Sequence, residues 1–187
     1  MNVSGVDITA KGKETMHQFG INADLDLREI AESGDITYSP LGQDVDFVRF
    51  DQASAGFYDK INDNSVNIQS MQWLIDELKA NKAVFFHCAV GADRTGTLAF
   101  LIEGLLGVSE NEMSIDYELT SFSSLPGIRR RTDTPFNYAG MYATINSVRG
   151  ESLQQKFYNY FADGVLGSSI SRDDLDWFIS YMLEPAL

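Results

Sequence analysis

The chain of 187 residues contains one cysteine, Cys88, and an arginine follows it six positions later. Around them runs the decapeptide His87-Cys88-Ala89-Val90-Gly91-Ala92-Asp93-Arg94-Thr95-Gly96. A thiolate is a strong nucleophile, and a guanidinium is a permanent cation whose planar fork fits two phosphate oxygens. Backbone N–H groups in such a loop can converge on an anion, and a helix N-terminus behind them adds the positive end of a dipole. Gly91 lets the loop turn without a Cβ clash. Together these residues can bind a phosphate and attack it.

The same donors favour the ionised thiol. Free cysteine titrates at about 8.5, so little thiolate exists at neutral pH. A neighbouring cation and a helix end depress that value, leaving Cys88 mostly anionic. Its sulfur would attack phosphorus in line and form a phosphocysteine. Arg94, Thr95 and the backbone of Ala89, Val90, Gly91 and Ala92 would hold the phosphate oxygens. The Thr95 hydroxyl suits a hydrogen bond to sulfur, and equally a helix cap. The plain alternative is that Cys88 is an ordinary small core residue. A bare Cys-x5-Arg arises by chance at roughly 4% for one cysteine. The flanking His, Gly and Thr-Gly lower this to on the order of 10⁻⁷, which favours the chemical reading.

The segment resembles the protein tyrosine phosphatase signature, His-Cys-x5-Arg-Ser/Thr. It is more similar still to bacterial tyrosine/lipid phosphatases with His-Cys-x-x-Gly-Lys-Asp-Arg-Thr-Gly, whose loop is like that of phosphoinositide phosphatases. The resemblance runs from about residue 8 to residue 123 and includes the strand ending Asp26-Leu27-Arg28. It implies a cysteine-phosphatase-like fold and a phosphomonoesterase of protein tyrosine or dual-specificity type. It also implies that Asp93, just before the arginine, is the general acid. No cofactor or metal is expected. The substrate would be a phosphorylated protein or an inositol-type phosphate. The alternatives on the same loop are an inositol phosphate or phosphoinositide phosphatase, and a phosphate-binding module without turnover. Ala92 stands where those relatives carry lysine, which removes a charge suited to multiply phosphorylated substrates. The relatives also have an Asn-x-Arg-Asp-Leu-Gly-Gly strand and a Tyr-Arg-Ser segment before their first helix. The expectation here is one phosphatase domain over 1–187 without that strand, cut from a longer protein that can carry an export signal.

Other residues compete for roles. A departing oxygen needs a proton. Asp93 is the first candidate to supply it, Asp51 the second, and Asp24 and Asp26 the third unless they simply pair with Arg28. His87 reads as orienting the loop. His17 falls on a surface helix, so no His/Cys metal constellation forms. No Gly-x-Ser-x-Gly is present to suggest serine hydrolysis. The net charge of −13 argues against a nucleic-acid partner and repels a phosphate dianion, so local cations must offset it. Beyond Arg94, the dense basic cluster is Arg129-Arg130-Arg131. It reads either as a second substrate anion site or as a solvated loop neutralised by nearby carboxylates. Trp73 and Trp177 read as core residues; Tyr117, Phe122 and Tyr138 flank the arginine cluster and read as core or, alternatively, as the wall of a pocket.

These groups need a scaffold. The length suits one domain, and 44% hydrophobic residues suit a globular core. The most apolar run, Leu98–Val108, is broken by Glu103 and is too short to span a membrane. Periodicity predicts strands at 21–28, 45–50 and 83–87. It predicts helices at 8–20, 53–62, 66–80, 94–106, 110–122, 138–148, 152–161 and 171–183, with a loop at 123–135. The fold class is α/β: a small, mainly parallel sheet flanked by helices, with a helical C-terminal half.

Overall fold

The computed structural model describes residues 8–51, 61, 65–122, 128–132 and 138–183. Among these, three parallel strands form one sheet in the order β2-β1-β3: β1 (Ile21–Asp26) at the centre, β2 (Asp46–Arg49) and β3 (Ala83–His87) at its sides. Side chains alternate along a strand. Ala23 and Leu25 therefore leave one face of β1, and Asp24 and Asp26 leave the other. Register places Asp24 beside Phe85, and Asp26 beside His87. One face is thus apolar, through Leu25, Val84 and Phe86. The other carries Asp24, Asp26, Phe85 and His87.

Each face has its own cover. Helix α1 (Ala10–Gln18), capped by the Thr9 hydroxyl, packs beside β1. Helices α3 (Val66–Lys79) and α4 (Arg94–Leu105) cover the apolar face, where Ile68, Met71, Leu101 and Leu105 are buried. Between β1 and β2 lies a short helix, α2 (Ile30–Ser33), whose entry is fixed by the Glu29 N–H donating to Glu32 Oε2 at 2.9 Å.

The C-terminal half is helical: α5 (Glu110–Leu119), α6 (Tyr138–Ser147), α7 (Leu153–Asp163) and α8 (Arg172–Leu183). Ser109 and Glu112 form a reciprocal cap at the start of α5. Helix α7 lays Phe157 across Gly104 of α4; a Cβ on that glycine would sit 2.2 Å from the ring. The parallel sheet, its helices and the helical second half match the predicted class. Most boundaries shift by one or two residues. The helix expected to reach Phe122 stops at Leu119 and tightens into a 3-10 turn over Thr120–Phe122. Helix α2 had no counterpart in the periodicity, since four residues are too few to show one. The helix expected at 53–62 lies outside the described residues except for buried Ile61. Of the loop expected at 123–135, residues 128–132 are described. No helix among the described residues is long and apolar enough to cross a membrane.

Two consequences are measurable. Gly104→Ala must displace Phe157, so it lowers unfolding free energy by about 1–3 kcal/mol, read from denaturant curves. On the same helix, burial pushes the Glu103 carboxyl up to about 7, with nearby Asp116 adding to the rise. The folded state then holds this proton more tightly than the unfolded chain, so stability falls as pH climbs from the ordinary carboxylate range through about 7. Glu103→Gln should raise Tm near pH 8 by about 2–4 °C and leave it nearly unchanged near pH 5. An equal change at both pH values contradicts this.

Candidate active site

Strand β3 runs into the loop 88–93, and helix α4 leaves from it. Cys88 is 3% exposed and packs with Leu25, Leu27 and Leu98. It is thus a small core residue by position, but not by environment. Burial opposes ionisation of its thiol, while the Thr95 hydroxyl and the N–H groups of Thr95, Val90 and Gly91 favour it more. The thiol is held below its ordinary value. Gly91 adopts a φ of 72°, the left-handed conformation that turns its amide inward and that a side chain would strain.

Arg94 begins α4 and is 3% exposed. Burial disfavours its charge, but Glu32 and the Cys88 sulfur together raise its pKa. Glu32 grips the guanidinium with both oxygens: Nη2 donates to Oε1 at 2.7 Å, and Nη1 donates to Oε2. Hydrogen bonds from Arg94 hold the Glu32 carboxyl below the usual carboxylate range against a desolvation cost. Sequence reasoning missed Glu32. The available signal was its place just past the carboxyl end of β1, the sheet edge from which the cysteine loop also springs.

The other predicted residues separate into distinct places. Asp93 adjoins Arg94, and its Oδ1 accepts from Arg129 Nη2 at 2.8 Å. Arg129 is itself fixed, its N–H donating to Ser121 Oγ at 2.8 Å. Arg131 makes a two-pronged pair with Glu118, whose carboxyl those hydrogen bonds lower to about 2. Arg130 is exposed. Two of the three clustered arginines therefore face protein carboxylates. Asp51 is exposed and accepts a long 3.4 Å bond from the Ile30 N–H, so it meets the start of α2. Asp26, as expected for a charge partner, binds Arg28 through Nε and Nη2, each at 2.8 Å. Asp24 instead faces His87 and Ser39. Ala92 is 9% exposed and turns to the protein side of the loop, near Phe100 and Met113. Tyr138 is core, but Phe122 is 89% exposed, against expectation.

Next to the sulfur opens a cavity of about 390 Å³ on the acidic face of the sheet. Its apolar walls are Ile8, Pro40, Leu41, Phe85 and Val90. Cys88, Gly91, His87, Asp24 and Arg28 complete it.

Residues 4–161 match the tyrosine phosphatase family. The chain belongs to the tyrosine phosphatase family. None of the curated proteins compared with it matches its sequence. As a tyrosine phosphatase family member it is a phosphatase, and its substrate is phosphorylated. In this family member the cysteine loop, Arg94 and Glu32 gather beyond the carboxyl ends of parallel strands, where open α/β sheets bind ligands.

The thiol environment gives a direct test. Thr95→Val keeps the shape and removes the hydroxyl donor. The pH midpoint for alkylation of Cys88 by iodoacetamide should then rise. An unmoved midpoint would show that the hydroxyl does not act on the sulfur.

Proposed function

We propose that the chain is a cysteine-dependent phosphomonoesterase acting on aryl phosphates of the phosphotyrosyl type. The observation that carries this reading is the low-pKa Cys88 thiol, set in the same field as a permanently charged arginine. Both groups are buried, and in each the surroundings favour the charged form against desolvation.

The Cys88 thiolate attacks phosphorus, the bond to the leaving oxygen breaks, and Asp93 gives that oxygen its proton. Arg94 and the loop amides of Ala89 to Ala92, with Thr95, hold the equatorial oxygens throughout. Water then attacks the phosphocysteine, Asp93 takes its proton, and the thiolate leaves with inorganic phosphate as product. Arg129 holds Asp93 Oδ1 through its Nη2 donor. Proton donation therefore needs that contact to loosen when substrate arrives. Asp51, the second candidate acid, sits at the head of α2.

The cavity supports this choice of substrate class. Its walls are aliphatic and aromatic, and its one arginine, Arg28, is occupied by Asp26. Ala92 adds no cation, and Arg129 and Arg131 are neutralised by Asp93 and Glu118. A flat apolar leaving group suits this lining better than a polyphosphorylated inositol.

The test is hydrolysis of p-nitrophenyl phosphate, a phosphotyrosyl peptide and an inositol polyphosphate in chelator-treated buffer. The aryl substrates should turn over and the inositol substrate should lag. Cys88→Ser should fall to background, and Arg94→Lys should lose about 10²–10³ in kcat. Asp93→Asn should lose the limb of the pH–rate profile that reports a protonated acid. Full activity of Cys88→Ser would sink the mechanism, and an intact profile in Asp93→Asn would move the acid to Asp51 or Asp24.

A further inference from the structure

Asp24 is 1% exposed, on the central strand of a protein already rich in negative charge. A buried carboxylate is costly unless its oxygens are answered. One oxygen, Oδ2, accepts a short 2.6 Å bond from the Ser39 hydroxyl, which is equally buried. The other, Oδ1, lies 3.2 Å from His87 Nε2 without the alignment of a hydrogen bond. His87 Nδ1 in turn stands 3.4 Å from the Cys88 carbonyl oxygen.

Ser39 does more than answer Asp24. Its Oγ accepts the Leu41 N–H at 3.0 Å, and its carbonyl accepts the Gly42 N–H at 3.2 Å. On the far side, His17 Nε2 reaches the Leu41 carbonyl at 3.3 Å. Both histidines of the chain thus bear on one stretch of backbone, His17 directly and His87 through Asp24 and Ser39. That stretch, Pro40–Leu41, is a wall of the cavity beside the sulfur.

We propose that Ser39 is a positioning residue for substrate choice: through Asp24 and His87 it fixes the Pro40–Leu41 wall against the nucleophile loop, setting the cavity's width for an aromatic leaving group. This rests on the reading of Cys88 as nucleophile and of the cavity as the leaving-group site. Ser39 touches neither substrate nor sulfur. Its hydroxyl holds a wall whose distance from Cys88 decides whether a ring is gripped. Phosphate itself is bound by the loop and Arg94, so losing the tether should spare phosphate and penalise the ring.

Protection of Cys88 from iodoacetamide reads this without turnover. The half-protecting concentrations of phenylphosphonate and of inorganic phosphate are measured for the wild type, Ser39→Ala, Ser39→Thr and Leu41→Ala. The wild type should favour phenylphosphonate. Ser39→Ala should weaken phenylphosphonate about tenfold, the size of one lost hydrogen bond in a buried wall, and leave phosphate unchanged. Ser39→Thr, which keeps the hydroxyl, should restore the preference. Leu41→Ala trims the wall and keeps the anchor, and it should lose the preference as well. The proposal is overturned if Ser39→Ala weakens both ligands alike or neither, or if the wild type shows no preference for the ring. Hydrolysis of an aryl phosphate by the wild type is scored separately. If protection follows the expected pattern but nothing is hydrolysed, the phosphomonoesterase reading fails while the positioning role of Ser39 stands.

Discussion

A buried thiol whose surroundings favour its ionisation, beside a buried guanidinium in a protein of net charge −13, is the arrangement on which the rest of this structure depends. Neither charge is tolerable alone in an apolar setting. Ionisation of the sulfur is favoured by the Thr95 hydroxyl and three loop amides. The guanidinium is answered by Glu32 and by the sulfur itself. The carboxylates that meet these cations are fixed partners. Glu32 aims Arg94, and Asp93 meets Arg129.

The sheet makes this placement possible. All three strands run parallel, so their carboxyl ends share one edge. Segments leaving that edge reach one another over short spans: β1 delivers Arg28 and then α2 with Glu32, and β3 delivers the cysteine loop. The two faces of the sheet then divide the work. The apolar face builds the core under α3 and α4 and carries Leu25 against Cys88. The opposite face carries Asp24, Asp26 and His87, and its cavity opens beside the sulfur.

That second face holds an unusual concentration of buried polarity for so small a sheet. Asp26 and Arg28 satisfy each other in a planar, two-pronged pair, while Asp24 is shared between Ser39 and His87. Such groups add little net stability over apolar packing, yet each fixes a geometry that apolar contacts leave loose. A phosphatase needs such rigidity where it holds its phosphorylated substrate.

Much of this was readable from residue order. The decapeptide from His87 to Gly96, its strand before and helix behind, and the parallel α/β class all rest on short-range regularities: alternation in strands, 3.6-residue periodicity in helices, and glycine where φ turns positive. The same locality let Asp26 be named as a partner for Arg28, two positions away. What sequence alone could not decide was long-range pairing. Glu32 and Arg94 are 62 positions apart, Ser39 and Asp24 are 15 apart, and Arg129 and Asp93 are 36 apart. Nothing in the local pattern of any of them names the other. The residues themselves determined which chemistry is available, because a thiol, a fork of donors and a turning glycine need only a few adjacent positions. Tertiary structure decided which charges are paired inside the protein and which side chains wall the cavity beside the sulfur, because those depend on distances set by the sheet.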